Sequence, residues 1–368
     1  METFIDKYFS DLEDPRVVGR CTYKLNEMLL VALLCIICGG NGYQDMADFG
    51  AECLDFLRTF YPFKNGTPKR DAFRSLFLIM NPKQFEKCFF VWAESLLGKV
   101  GDTIAVDGKC LRGSRIKGSN AVNMVSAWCH ENSLILGQIA VTNKSNEITA
   151  IPELLGLLDL KNKVVTLDAM GCQREIAELV IEKKCDYVCS LKGNQGSIHQ
   201  EVIDFFEAHE SRGHQDGVFH FEEKEENGHG RIEVRKYTLT PTLDWGLESH
   251  KWPGLKAVGK VESIRKIKNK ESRETRYFLT SLDAEPERFV RAVRNHWGIE
   301  NKVHWVLDVS FDEDACRIRE GNGPKNVAVV RRYAMNLIRK NGDPTRSFRR
   351  NMLKALYNRE FLKKLLLG

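Results

Sequence analysis

The chain has 368 residues, 43% hydrophobic and 29% charged, which excludes a disordered polymer and allows one elaborated domain or two to three pieces. The net charge is only +5 but unevenly spread: 331–368 carries eleven Lys and Arg against Asp343 and Glu360, and 201–226 carries nine acids against Arg212 and Lys224. The longest apolar run, MLLVALLCIIC at 28–38, is too short to span a bilayer, and the eleven cysteines are odd in number with no signal peptide; both favour a cytoplasmic protein with reduced thiols and no membrane partner.

Residues 1–98 read as an all-helical N-terminal module, with apolar positions at helical spacing and breaks at Gly39–Gly40, YPFKNGTP and Pro82. From 99 to 195 the pattern changes. Short strands TIAVDG, AVNMVSAWC and LILGQIAV, joined by turns, predict three antiparallel strands. Helix EITAIPELLGLLDL, strand KVVTLDAM, helix CQREIAELVIEKKC and strand DYVCSLKG then predict an α/β alternation with parallel strands. Residues 196–285 read as a β-rich insertion: an acidic helical piece, then strands GRIEVRKYTL, LKAVGKVESIRKI and TRYFLTSL, with Arg231, Glu233, Arg235 and Tyr237 on one face. Residues 286–368 turn helical again behind Pro286 and end in a basic C-terminal tail. The cysteine pair Cys35 and Cys38 lies inside the apolar run with no second pair, a weak pattern for zinc.

Two aspartates stand at predicted strand ends, Asp107 in IAVDG and Asp168 in VVTLDAMG. Strand ends are where side chains enter the binding crevice of an open α/β sheet. Two readings stand side by side: each Asp caps the turn that follows it, or the two share a divalent cation that relieves their repulsion. Hard oxygen ligands without His or Cys favour Mg²⁺ or Mn²⁺, and two such ions suit in-line phosphoryl transfer. A third acid comes from NHWGIENKVHWVLDVSFDED at 295–314. On a helix through 286–308, Val293, His296, Trp297, Glu300, Val303, His304 and Leu307 share a face, so Glu300 is expected on a largely apolar stripe where an unpaired carboxylate would be costly. Asp308 is the weaker candidate, and Asp312, Glu313 and Asp314 read as a solvated or loop cluster.

AVDGKCLRGS, KSNEITAIPELL, LDAMGCQREIAE, DYVCSLKGNQG, GHGRIEVR and RNHWGIENKVHWVLDVSFDEDACRIREGN, in this order, closely resemble the bacterial H-repeat-associated insertion-sequence transposases, a branch of the DDE superfamily. The resemblance covers essentially the whole chain. It implies a ribonuclease-H-like catalytic core of mixed sheet flanked by helices, a β-rich insertion before the last acid, and DNA cleavage and strand transfer with Mg²⁺ or Mn²⁺, two ions in all. Carried over by position, Asp107, Asp168 and Glu300 are the catalytic, metal-binding acids. The partners implied are DNA, as element terminal inverted repeats and target, and a second copy in a homodimer on DNA, associated with the bacterial nucleoid when bound. The helical module would dock the element's end.

Where related transposases carry Tyr, Arg and Lys around the Glu, this chain has Val293, His296 and Leu307. Arg294, His296, Lys302 or His304 is therefore expected to take over phosphate contacts, against the alternative that both histidines pack on Trp297 and Trp305. Lys109, Arg112, Lys192, Asn194 and Gln195 lie where they could reach phosphates near the metals. His229 and Arg231, with Trp245 and Trp252, are candidates for holding a distorted terminal base, although core packing suits the two tryptophans better. The basic tail would add a non-specific phosphate contact. Two other functions remain open on sequence: an inactive or domesticated DNA-binding protein, and an RNase-H-like nuclease without strand transfer.

Overall fold

The computed structural model describes all residues except 1–3, 18, 97–100, 142–146, 212–217, 228–230, 242–251, 268–269 and 284. In chain order the helices are α1 (Phe4–Tyr8), α2 (Leu25–Ile37), α3 (Tyr43–Glu52), α4 (Leu54–Leu57), α5 (Arg70–Ile79) and α6 (Pro82–Ser95). Then follow β1 (Thr103–Cys110), β2 (Asn123–Cys129), β3 (Leu134–Val141), α7 (Glu147–Leu157), β4 (Val164–Leu167), α8 (Arg174–Glu182), β5 (Asp186–Leu191) and α9 (Ser197–Ser211). Strands β6 (Phe219–Asn227), β7 (Arg231–Pro241), β8 (Ala257–Ile267) and β9 (Lys270–Thr280) precede α10 (Pro286–Gly298), α11 (Trp305–Phe311), α12 (Gly323–Asn341), α13 (Phe348–Tyr357) and α14 (Arg359–Leu367). Among the described residues no helix is long and apolar enough to cross a membrane.

The strands form one mixed sheet in the order β3-β2-β1-β4-β5-β9-β8-β7-β6. β2 and β3 are antiparallel, and β1, β4 and β5 run parallel. The insertion's strands extend that sheet, because β9 pairs antiparallel with β5. Three of them were expected and four are present. The extra one is β6, FHFEEKEEN, assigned above to the acidic helical piece. Two of its acids have cross-strand partners, with Lys236 Nζ 3.6 Å from Glu222 and Arg235 Nη1 3.9 Å from Glu223. Cross-strand charge pairs stabilise an otherwise polar strand.

The chain divides into two compact units. One comprises Gly101–Asp107 and Leu158–Gly298. Its core joins Val164 of β4, Val188 of β5, Tyr237, Leu239, Ala257, Val261 and Phe278 of the insertion, and Phe289, Ala292 and Val293 of α10. Gly259 has no side chain because Phe289 lies over it; a Cβ there would stand 2.2 Å from the ring.

The other unit comprises Met1–Val100, Gly108–Leu157 and Ile299–Gly368. The first hundred residues thus share a body with the chain's C-terminal helices. α2 is buried on every side, as its unbroken apolar run requires. So is most of α12, whose Tyr333 stacks among Phe4, Phe9, Phe85, Phe89 and Trp92.

This burial corrects two charge readings. Asp312, Glu313 and Asp314 do lie in a loop, with Asp312 exposed, but the cluster is not solvated throughout. Asp312 ends α11 in the left-handed region, φ 48°, and the turn swings Glu313 inward, where it is 1% exposed and paired with Arg332 and Arg331. Nor is 331–368 a free basic tail, since it folds as α12–α14 with Arg331 and Arg332 internal. Arg339 lies 4.8 Å over the Trp128 ring.

Burial pushes the Glu313 carboxyl up, but the Arg332 and Arg331 charges outweigh it and hold it below the usual range. The folded state thus binds this proton less readily than the unfolded chain. The contribution is present above the unfolded value near 4.3 and is lost as pH falls through the lower folded value. Removing one member of a buried pair strands the other charge, so Glu313→Ala should cost about 3–5 kcal/mol in urea unfolding at pH 7. A cost under about 1 kcal/mol would contradict the internal pair.

Candidate active site

Strands β1 and β4 are parallel neighbours, with Thr103 opposite Val164 and Val106 opposite Leu167. The next residues on each strand are Asp107 and Asp168. Residues in register on adjacent parallel strands point to the same face, and such strands lie about 4.8 Å apart. Asp107, inside β1, and Asp168, one residue past β4, directly follow the last paired residues Val106 and Leu167, and both are half-buried.

Asp168 also does what a capping residue does. Its Oδ1 accepts from the backbone N–H of Met170 at 3.0 Å and of Gly171 at 2.9 Å, leaving Oδ2 outside that turn. The two readings of this residue are therefore compatible. The adjacent loop braces the turn: Asn194 Nδ2 donates to the Ala169 carbonyl at 2.7 Å, and Gln195 donates to that of Cys172. Asn194 is thus engaged in positioning the turn, while Lys192 beside it is exposed.

His296 sits on α10 with Nδ1 2.9 Å from Thr166 Oγ1, two residues before Asp168 on β4. Burial lowers its pKa to about 4, against the opposing pull of the Asp168 carboxylate. A neutral imidazole bound to Thr166 corrects the expectation of a cationic phosphate contact there. Neither histidine's tryptophan neighbour is a core residue, since Trp297 is 38% and Trp305 58% exposed. Arg276 covers the Trp297 ring at 4.2 Å.

Glu300 belongs to the unit that resumes at Ile299. The helix is not continuous through 286–308. A π-helical turn, Ile299–His304, separates α10 from α11. Ile299 and Val303 face the core, whereas Glu300 is exposed. The expected apolar stripe through Glu300 is thus corrected: the wider turn shifts the phase of everything beyond it. Among the described residues no three His, Cys, Asp or Glu side chains are gathered as a metal cluster.

The cations are differently placed from expectation. Lys109 is 6% exposed, 2.7 Å from Asp308 and 3.1 Å from Asp314, so its charge is held internally and not offered to phosphate. Arg112 is largely exposed, with Nε 3.4 Å from Asp314. Arg294 Nε lies 3.4 Å from Glu223. Lys302 donates to His130 Nε2 at 3.3 Å, and burial lowers its pKa. His304 is half-buried on the π turn. Arg231 opens β7 opposite Asn227 and Ile267. Trp252 is buried, with Arg174 5.9 Å over its ring, while His229 and Trp245 lie outside the described residues.

One acid was missed. Glu147, at the start of α7, is 8% exposed, and its carboxylate rests against Gly108, where a Cβ would come within 2.5 Å of it. Its only sequence signal was its place in KSNEITAIPELL, read there as helix alone.

The profile described as "Transposase DDE domain" matches residues 98–337, and that described as "DDE_Tnp_1-associated" matches residues 7–93. The chain belongs to the DDE transposase family. It is 36% identical over 370 residues to the "H repeat-associated putative transposase YhhI" of Escherichia coli K12, covering 98% of this chain and 97% of that protein. It is also 38% identical over 369 residues to the "Putative transposase YncI" of Escherichia coli O157:H7, covering 98% of this chain and 93% of that protein. In this transposase-family chain Asp107 and Asp168 directly follow the last paired residues of one pair of parallel strands.

The state of His296 is directly measurable. NMR titration of the imidazole should give a midpoint near 4 and no transition around pH 6.5. A wild-type midpoint at 6 or above would restore His296 as a cation at neutral pH.

Proposed function

We propose that this chain is the transposase of an insertion sequence, cutting DNA at the element's ends to free a 3′-hydroxyl and joining that hydroxyl to target DNA, both by in-line phosphoryl transfer. The observation that supports the reading is that Asp107 and Asp168 directly follow Val106 and Leu167, the last paired residues of two neighbouring parallel strands. The strand order β3-β2-β1-β4-β5 is in keeping with a ribonuclease-H-like core.

The donor set suits a hard divalent ion: two half-buried carboxylates, Asp168 keeping one oxygen outside its turn, and the nearby imidazole engaged by Thr166. Two Mg²⁺ or Mn²⁺ ions would supply an activated water and neutralise charge on the phosphoryl oxygens. The chain's residues do the holding. Asp107 and Asp168 are the paired ligands and Glu300 completes the set. The turn braced by Asn194 and Gln195 keeps Asp168 aimed, and positioning of this kind is most of what phosphoryl transfer needs from a protein.

In this reading residues 1–98 dock the element's terminal repeat, 99–195 and 286–368 form the catalytic core, and 196–285 is its insertion. The working form is a homodimer, because two ends must be joined in one complex. It acts in the bacterial cytoplasm, on the nucleoid.

With Mg²⁺ and a duplex bearing the terminal repeats, wild type should nick at the element boundary. Asp107→Asn, Asp168→Asn and Glu300→Gln should each lower the rate by more than about 100-fold, beyond the 10–100-fold typical of losing a residue that only supports a metal ligand. Equal products from wild type and Asp168→Asn would leave a DNA-binding protein without catalysis. Given a pre-cleaved 3′-hydroxyl end and a plasmid, a transposase joins them, whereas a plain nuclease does not.

A further inference from the structure

A cleft of about 460 Å³ lies within the unit that contains the N-terminal helices, and none of the site residues named above lines it. Its lining includes Arg70 and Arg74 on α5, Arg317 and Arg319 on the irregular segment after α11, and Gln44 at the start of α3; the only acid in the lining is Glu320. Arg70 and Arg74 are four residues apart and therefore share a helix face. Arg70, Arg317 and Arg319 are exposed.

The two walls are fastened together. The Asn322 N–H donates to the Leu78 carbonyl at 3.1 Å, and its side chain donates to that of Met80 at 3.2 Å. Asn326 Nδ2 donates to the carbonyls of Phe77 and Met80, both at 2.9 Å. These bonds tie the chain just beyond Arg319 to the end of α5. On its other side Arg319 Nε donates to the Gly113 carbonyl at 3.0 Å, and Gly113 approaches the Cys316 backbone so closely that a Cβ would overlap it. The arginines are thus mounted on a stiff frame, the condition for binding without a large ordering cost.

Arg70 also pairs with its neighbour Asp71 at 3.5 Å, on exposed side chains, so the four guanidinium groups meet two carboxylates, Asp71 and Glu320, and keep a local excess of positive charge. Arg74 and Glu320 form an ion pair at the cleft, a carboxylate standing where another oxyanion would sit. Guanidinium forks match phosphate oxygens in pairs. Long, exposed cations suit an extended polyanion better than an enclosed metabolite.

We propose that this cleft grips the phosphodiester backbone of DNA, with Arg70, Arg74, Arg317 and Arg319 as the contacts and Glu320 as the resting partner that releases Arg74. The proposal rests on the transposase reading for its choice of DNA. It adds a binding surface built jointly by α5 and the segment after α11, which the run of basic residues at the C-terminus did not reveal.

The test is fluorescence anisotropy of the full chain with a labelled 30-base-pair duplex lacking terminal repeats, over about 50–300 mM NaCl. Each lost phosphate contact should lower the slope of log K against log salt by about 0.9. Arg70→Ala/Arg317→Ala should therefore flatten it by about 1.8 and weaken low-salt binding about tenfold or more, and Glu320→Gln should tighten binding. Arg70→Gln/Arg317→Gln should behave alike, with circular dichroism melts showing that each protein is folded. If wild type binds with a steep slope and folded double variants match it, the cleft proposal falls while the transposase reading stands. If the cleft variants flatten the salt slope as stated but Asp168→Asn cuts a terminal-repeat duplex as well as wild type, the catalytic reading falls while the cleft remains.

Discussion

The parallel rungs that join Thr103–Val106 of β1 to Val164–Leu167 of β4 are the constraint on which the site depends. These residues are all buried, so their register is specified by packing. A slip of one residue would turn every side chain to the opposite face and send the two aspartates to opposite sides of the sheet. The next rungs, from β4 to β5, set Leu167 opposite Cys189 and bring the loop after β5 to the turn after β4, where Asn194 and Gln195 fasten it. The candidate site is thus fixed by backbone pairing first and by side-chain hydrogen bonds second.

A second constraint is where charge is placed. The stretch 331–368 has a formal excess of nine positive charges, yet Arg331 and Arg332 neutralise Glu313 inside the fold. Lys109 is neutralised by Asp308 and Asp314 in the same way. A linear count treats all these groups as if they met water. The fold sorts them into internal pairs, costly to break, and surface groups, which alone are available to a polyanion. The cleft arginines belong to the second kind, drawn from two stretches that no local count would combine.

The elements of the central sheet were legible because buried parallel strands read as short apolar runs, and both aspartates were found by where those runs end. Their neighbourhood was not readable from either run alone, since pairing joins segments far apart in sequence. β6 was misassigned because Glu222 and Glu223 find partners on β7, a cross-strand effect invisible to helical or alternating patterns within one segment. The Asp312–Asp314 loop was readable, but the burial of Glu313 was not, because it depends on the left-handed turn at Asp312 and on two arginines offered by α12. Glu147 was passed over because an acid in the first turn of a helix is ordinary there.

The π turn at Ile299–His304 repays closer argument. In an uninterrupted α-helix Glu300 would ride the stripe of Val293, Val303 and Leu307, and these three are all buried. A carboxylate carried into that stripe would have to find a cation or take up a proton, at a cost of several kcal/mol. Widening one turn admits an extra residue and shifts the phase, so that Ile299 and Val303 stay inside while Glu300 comes out. The irregularity costs some helical hydrogen-bond geometry, yet it lets one helical segment bury apolar groups on both sides of an exposed acid. The proposed role of Glu300 as a metal ligand requires a carboxylate that can be reached, and the π turn leaves it exposed.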